Sequence, residues 1–209
     1  MKIICVYSLF LFISVPVSLP AQNSKIKNNY THLVREESGD LNNDGKADRV
    51  TVKMDTVDKT RPLQVQIFLS QPNGRLILAV SSSKIIEPQY PVEKKGKFNG
   101  YQIPSFMIED GTLKMWSEIK GGNITCDFKY NHGNFELIHV TRITNNATKG
   151  YTDENTIFTE TQFDLVTGVR IETDEKLRSA KPLKIRKKRV IIRPLPKIQD
   201  FKFSDKALY

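Results

Sequence analysis

The chain has 209 residues, with 32 Lys and Arg against 23 Asp and Glu, a formal charge of +9 and 39% apolar residues. That length supports one sizeable core, and the composition excludes a low-complexity or wholly disordered chain. A mean hydropathy of −0.39 excludes a polytopic membrane protein. The three His and two Cys, at His32, His132, His139, Cys5 and Cys126, are too few and scattered for a structural zinc site or a disulfide scaffold.

Residues 1–21 read as a cleaved secretory signal. Lys2 supplies the basic start, Ile3 to Val17 the apolar stretch, Pro16 and Pro20 the helix breakers, and Ala21 the small residue before Gln22. A membrane anchor is the rival reading. It is disfavoured because Ser8, Ser14 and Pro16 interrupt the run, which falls short of the roughly 20 residues a spanning helix needs. Cys5 lies at the front of the segment, not at its end, so it is not placed for lipidation. The expected location is secreted or periplasmic, with outer-membrane association as a further option. Cleavage leaves Cys126 alone, among Ile124, Phe128 and Tyr130, whose alternation fits a buried strand position better than a reactive thiol.

Residues 22–35 are polar and Asn-rich and are expected to form an irregular lead-in. Residues 36–175 are expected to form the β domain. Val50, Val52 and Met54 alternate, as do Leu63, Val65, Ile67 and Leu69, and Pro72-Asn73-Gly74 turns the latter strand into Leu76 to Val80. Residues 84–104, broken by Pro88, Pro91, Gly96 and Gly100 and bearing Lys94, Lys95 and Lys97, are expected to form a long surface loop. Beyond it Asp110-Gly111, Gly121-Gly122-Asn123, Asn131-His132-Gly133-Asn134 and Val166-Thr167-Gly168 punctuate further strands. No segment sustains a helical period. The fold class is all-β, mainly antiparallel: a meander of hairpins forming a sandwich, an open barrel or a curved sheet.

Asp40-Leu41-Asn42-Asn43-Asp44-Gly45-Lys46-Ala47-Asp48 places oxygen side chains at every second residue, with a Gly where the chain must bend sharply. A hard divalent cation takes six to eight oxygens, and Asp40, Asn42, Asp44, the Lys46 carbonyl and Asp48 can supply five. A polar turn with chance spacing is the plain alternative. Thr51 stands where an EF-hand has its bidentate Glu, and the following residues alternate like a strand, so no exiting helix is expected. The segment resembles the calcium loops of FG-GAP and VCBS-type repeats, to which Asp40, Asn42, Asp44, Gly45 and Asp48 correspond directly. The resemblance spans about fifteen residues, and no second copy follows, so the propeller of those families is not implied. Taken with the Ile67 to Leu69 strand and the Ile108 to Trp116 and Phe128 to Leu137 hairpins, the arrangement is similar to a group of uncharacterised secreted or periplasmic bacterial β-rich proteins. That likeness implies calcium as a structural ion and a location outside the cytoplasm. It implies no activity.

The segment 176–209 is distinctive for charge. From Lys176 to Lys197 it holds ten basic residues and no acidic one, while outside that stretch and Lys2 the chain sums to −2. Pro182, Pro194 and Pro196 exclude a continuous helix, and Ile185, Val190, Ile191 and Ile192 fit partial docking on the domain. A solvated edge strand, guarded by its charges, is the plain reading. The partners that the charge fits are an anionic glycan, lipid phosphates or an envelope protein. Nucleic acid fits poorly, because no aromatic residue lies in the stretch to stack on bases. No catalytic signature is present, and Glu109-Asp110 and Asp153-Glu154 are adjacent carboxylates at turns. The expected function is a binding or interaction module, and a structural cell-envelope protein is the alternative.

Overall fold

A computed structural model describes residues 29–147, 153–179 and 181–202. The signal segment 1–21, the first part of the lead-in and residues 203–209 lie outside the described residues. Eleven strands are present among those described: β1 (Tyr30–Gly39), β2 (Asp48–Asp55), β3 (Leu63–Ser70), β4 (Leu76–Ser82), β5 (Ser105–Glu109), β6 (Thr112–Ile119), β7 (Gly122–Asn131), β8 (Asn134–Asn145), β9 (Ile157–Asp164), β10 (Val169–Lys176) and β11 (Pro182–Arg189). They form a four-stranded sheet in the order β1-β2-β3-β4 and a seven-stranded sheet in the order β11-β10-β9-β8-β7-β6-β5. Every neighbouring pair is antiparallel. The two sheets do not close into a barrel. Among the described residues no helix is long and apolar enough to cross a membrane.

Alternation explains the core. Val50, Val52 and Met54 of β2 and Leu63, Val65, Ile67 and Leu69 of β3 all turn one way, because successive strand residues face opposite sides. They share one apolar cluster with Phe106, Leu113, Met115, Ile124, Cys126, Phe128, Phe135, Leu137, Val140 and Phe163 of the larger sheet. β1 lies against β5, joining the sheets along that side.

Two segments differ from the sequence expectation, and a third adds detail to it. Strand pairing reaches back to Tyr30, so the last six residues of the expected lead-in belong to β1. The register of β1 slips between Leu33 and Arg35, which breaks the alternation a strand would otherwise display. The 84–104 stretch is only partly a surface loop, since Ile85 and Ile86 are buried in the core. It also holds itself together: Asn99 Nδ2 donates to the Pro88 carbonyl at 3.0 Å, and Lys94 lies over the Tyr101 ring at 5.2 Å. In the basic segment, residues 182–189 form β11, and the chain then folds back over the sheet. There Ile198 and Phe201 are fully buried and Val190 and Ile192 partly so, whereas Ile185 and Ile191 stay exposed.

Candidate metal centre

The acidic motif is the loop between β1 and β2, whose ends are held by the Gly39–Asp48 pair. Asp40 organises it. Its Oδ2 accepts the Gly45 N–H at 2.7 Å, and its Oδ1 accepts the N–H groups of Asn42 and Asp44, both at 3.2 Å. Asp44 Oδ1 in turn accepts the Lys46 N–H at 2.9 Å, and Asn42 Nδ2 donates to Asp44 Oδ2 at 3.4 Å. Gly45 makes the bend at φ +79°, a region L side chains rarely occupy. Partial desolvation acts to raise the Asp40 pKa, but the N–H groups of Gly45, Asp44, Asn42 and Asn43 together outweigh it and hold the carboxyl below 3.8. It is therefore an anion at neutral pH.

Asp48 has a different position. It is fully buried, with Oδ2 accepting the Leu41 N–H and Oδ1 accepting the Ser70 N–H, each at 2.8 Å. Ser38 Oγ and Ser70 Oγ donate to the carbonyls of Asp48 and Ala47 around it. Asp48 is thus the anchor that ties the loop to β3, with Leu41 buried above it. Among the described residues no three His, Cys, Asp or Glu side chains converge so as to hold a metal ion. The loop does gather the side-chain oxygens of Asp40, Asn42 and Asp44 within five residues, a donor set whose chemistry fits a hard cation such as calcium and no soft one. Asn43, at φ 60°, lays its side chain on Gly111 of the β5–β6 turn, which couples the loop to the larger sheet.

The second expected functional element, the basic segment, is resolved into distinct roles. Arg186 bridges β11 to β10 through paired contacts with Asp174, at 2.5 and 2.9 Å, and through Nε to Glu172 at 3.1 Å. The Arg186 hydrogen bond, then that of Thr159, holds Asp174 down at about 2. Arg193, though exposed, likewise ties the segment to the fold, donating to the Leu165 and Val166 carbonyls. Lys187 and Arg189, opposite Ile171 and Val169, form no ion pair among the described residues and project from the exposed outer strand.

A third cluster has no local signature in the sequence. Asp127 of β7, His139 of β8 and Asp164 of β9 are cross-strand neighbours, with His139 Nδ1 at 3.7 Å from Asp127 Oδ2. Lys114 sits opposite Asp127 and bonds Glu109 at 2.6 Å. Only the β7–β8 register, offset by an extra residue at Ile138, puts His139 between the two carboxylates. Cys126 is fully buried, and desolvation, with the nearby Asp127 charge, pushes its thiol up to about 12, which leaves it inert. A cavity of about 30 Å³ beneath the 84–104 segment, lined by Ile85, Tyr101 and the Ser117 hydroxyl, has room for a water or two.

The fold and the loop define a two-sheet antiparallel β protein with an acidic β1–β2 connection and a basic outer strand. Comparison with protein-family models, with curated proteins and with solved structures finds no match to the chain.

Proposed function

We propose that the protein is an exported binding module, ordered by calcium at the β1–β2 loop, that docks on an anionic glycan through β11. The observation that carries this reading is the placement of β11. It is the last strand of the seven-stranded sheet, exposed on both faces, and it concentrates five cations, Lys184, Arg186, Lys187, Lys188 and Arg189, within six residues. Lys187 and Arg189 lie on one face about 7 Å apart, the spacing of alternate strand residues. A row of fixed cations with that repeat suits a polymer of regularly spaced acidic groups. Its attraction extends over roughly one Debye length, about 8 Å at physiological salt.

The test is retention on a sulfated-glycan matrix across a salt gradient. Lys187→Glu/Arg189→Glu should elute at markedly lower salt with an unchanged melting temperature, since neither residue holds an ion pair among the described residues. Unchanged retention would remove the glycan reading. Retention only on anionic phospholipid vesicles would instead favour a structural envelope role.

Calcium would be held by Asp40, Asn42, Asp44 and the Lys46 carbonyl, above the anchoring Asp48, and would supply charge neutralisation that stiffens the entry into β2. An ion bound only by the folded state raises stability by mass action. Thermal unfolding should therefore shift upward with calcium, and Asp44→Ala should abolish the shift. An identical melt with calcium and with chelator would show the loop to be a polar turn.

A further inference from the structure

The outer face of the four-stranded sheet departs from the apolar-in, polar-out rule of a solvated antiparallel sheet. Leu33 of β1, Phe68 of β3 and Leu76 of β4 wall a groove of about 380 Å³ on that face, with Glu36, Arg49, Thr51 and Lys53 as its polar lining. Leu78, paired with Phe68 across the sheet and 47% exposed, extends the apolar wall. That volume lies in the range of small-molecule sites.

Two polar atoms on the face lack partners. Thr51, only 4% exposed, has its hydroxyl buried with no hydrogen bond among the described residues, and the amide oxygen Gln64 Oε1, opposite Lys53 on the neighbouring strand, is likewise buried without one. A buried hydroxyl without a partner is costly, and a ligand in the groove toward which the Thr51 side chain turns would relieve it. The charges are unequal. Arg49 is engaged by Glu36 at 3.7 Å, whereas Lys53 has no ion-pair partner among the described residues. The groove therefore has a polar end at Thr51 and Lys53 that donates hydrogen bonds and carries one uncompensated positive charge. It also has an apolar end at Phe68 and Leu76.

We propose that this groove binds a small amphipathic carboxylate, its acid group on the Thr51 hydroxyl and the Lys53 ammonium and its hydrocarbon body along Phe68 and Leu76. Phe68 lies opposite Arg49, four residues along β2 from Lys53, so the site spans about 13 Å at roughly 3.3 Å per residue. A medium-length acyl chain fills that length. The site is independent of β11 and of the calcium loop, and it requires neither to be occupied.

The probe is decanoate, measured by calorimetry below its micellar concentration, with decanol as the uncharged match for its tail and propionate as the acid without the tail. Decanoate should bind with one site per chain, and both controls should bind at least about tenfold more weakly. Thr51→Val and Lys53→Met, which keep the outline of each side chain, should each weaken decanoate about tenfold or more while leaving decanol unchanged. Phe68→Ser should weaken both, and circular dichroism should report native β structure for all three variants. Equal binding of decanoate and decanol would overturn the proposal, as would unaltered affinity in Thr51→Val and Lys53→Met. Sedimentation showing a dimer that Phe68→Ser dissolves would also overturn it, by assigning the groove to a second copy of the chain.

Discussion

Replacing Asp48 by alanine would leave two buried N–H groups, of Leu41 and Ser70, without an acceptor. Each such orphan costs about 1–3 kcal/mol, so Asp48→Ala should lose about 2–6 kcal/mol in urea unfolding, with or without calcium. Asp44→Ala, at an exposed position, should cost little in the absence of the ion, and the contrast separates the anchor from the ion-facing groups. Gly111 is a second such point: it holds φ +68°, and a Cβ there would stand 2.5 Å from Asn43 Oδ1, so Gly111→Ala should disturb the loop from the opposite sheet. The alternate oxygens of the motif were legible in the sequence because the spacing is local. The burial of Asp48 was not, because its partner Ser70 lies 22 residues away and enters only through the pairing of β2 with β3. Asn43 on Gly111 was hidden for the same reason.

At the level of elements, the joint between β10 and β11 makes a claim about pH. Asp174 is depressed from 3.8 to about 2 by Arg186 and Thr159, and Glu172 is lowered chiefly by Arg186, with Arg170 and Lys188 adding to it. Carboxyls depressed in the folded state contribute stability that is fully present above their unfolded values and is lost as pH falls through the folded ones. The advantage of the wild type over Asp174→Asn should thus be constant from neutral pH to about pH 5 and should shrink toward pH 2, as thermal melts would read. A gap that persists at pH 2 would mean that Asp174 acts through shape and not through charge. The pairing of β11 also marks where sequence patterning ran out. Leu63 to Leu69 alternate cleanly because one face is buried and the other wet, whereas Pro182 to Arg189 is exposed on both faces and imposes no such rule. What makes β11 a strand is the cross-strand match of Glu172 with Arg186 and of Asp174 with Lys184, which no window within the basic segment contains. β1 was obscured differently, by a register slip between Leu33 and Arg35 that takes Val34 out of the pairing.

For the molecule as a whole, the basic segment is part of the fold before it is a contact surface, and the two roles separate by residue. Beyond β11 the chain closes one end of the core: the Ile198 N–H donates to the Phe135 carbonyl, the Leu137 N–H donates to the Pro196 carbonyl, and the Phe201 ring meets Phe128 edge-on at 5.8 Å. Ile198 and Phe201 are 0% and 1% exposed. Emptying such a site removes transfer energy and leaves a void, so Phe201→Ala should cost about 3–5 kcal/mol, a large share of the roughly 5–15 kcal/mol typical of a domain. Deleting residues 176–209 would remove β11 and this plug together, and any loss of binding would then report unfolding. Charge reversal at Lys187 and Arg189 removes only the exposed positive face. Phe201→Ala should therefore lower the denaturation midpoint while the surviving folded protein elutes from an anionic matrix at wild-type salt, and Lys187→Glu/Arg189→Glu should do the reverse. If the two variants instead change stability and retention in proportion, the positive charge has no role apart from the fold, and β11 is a guarded edge of the sheet.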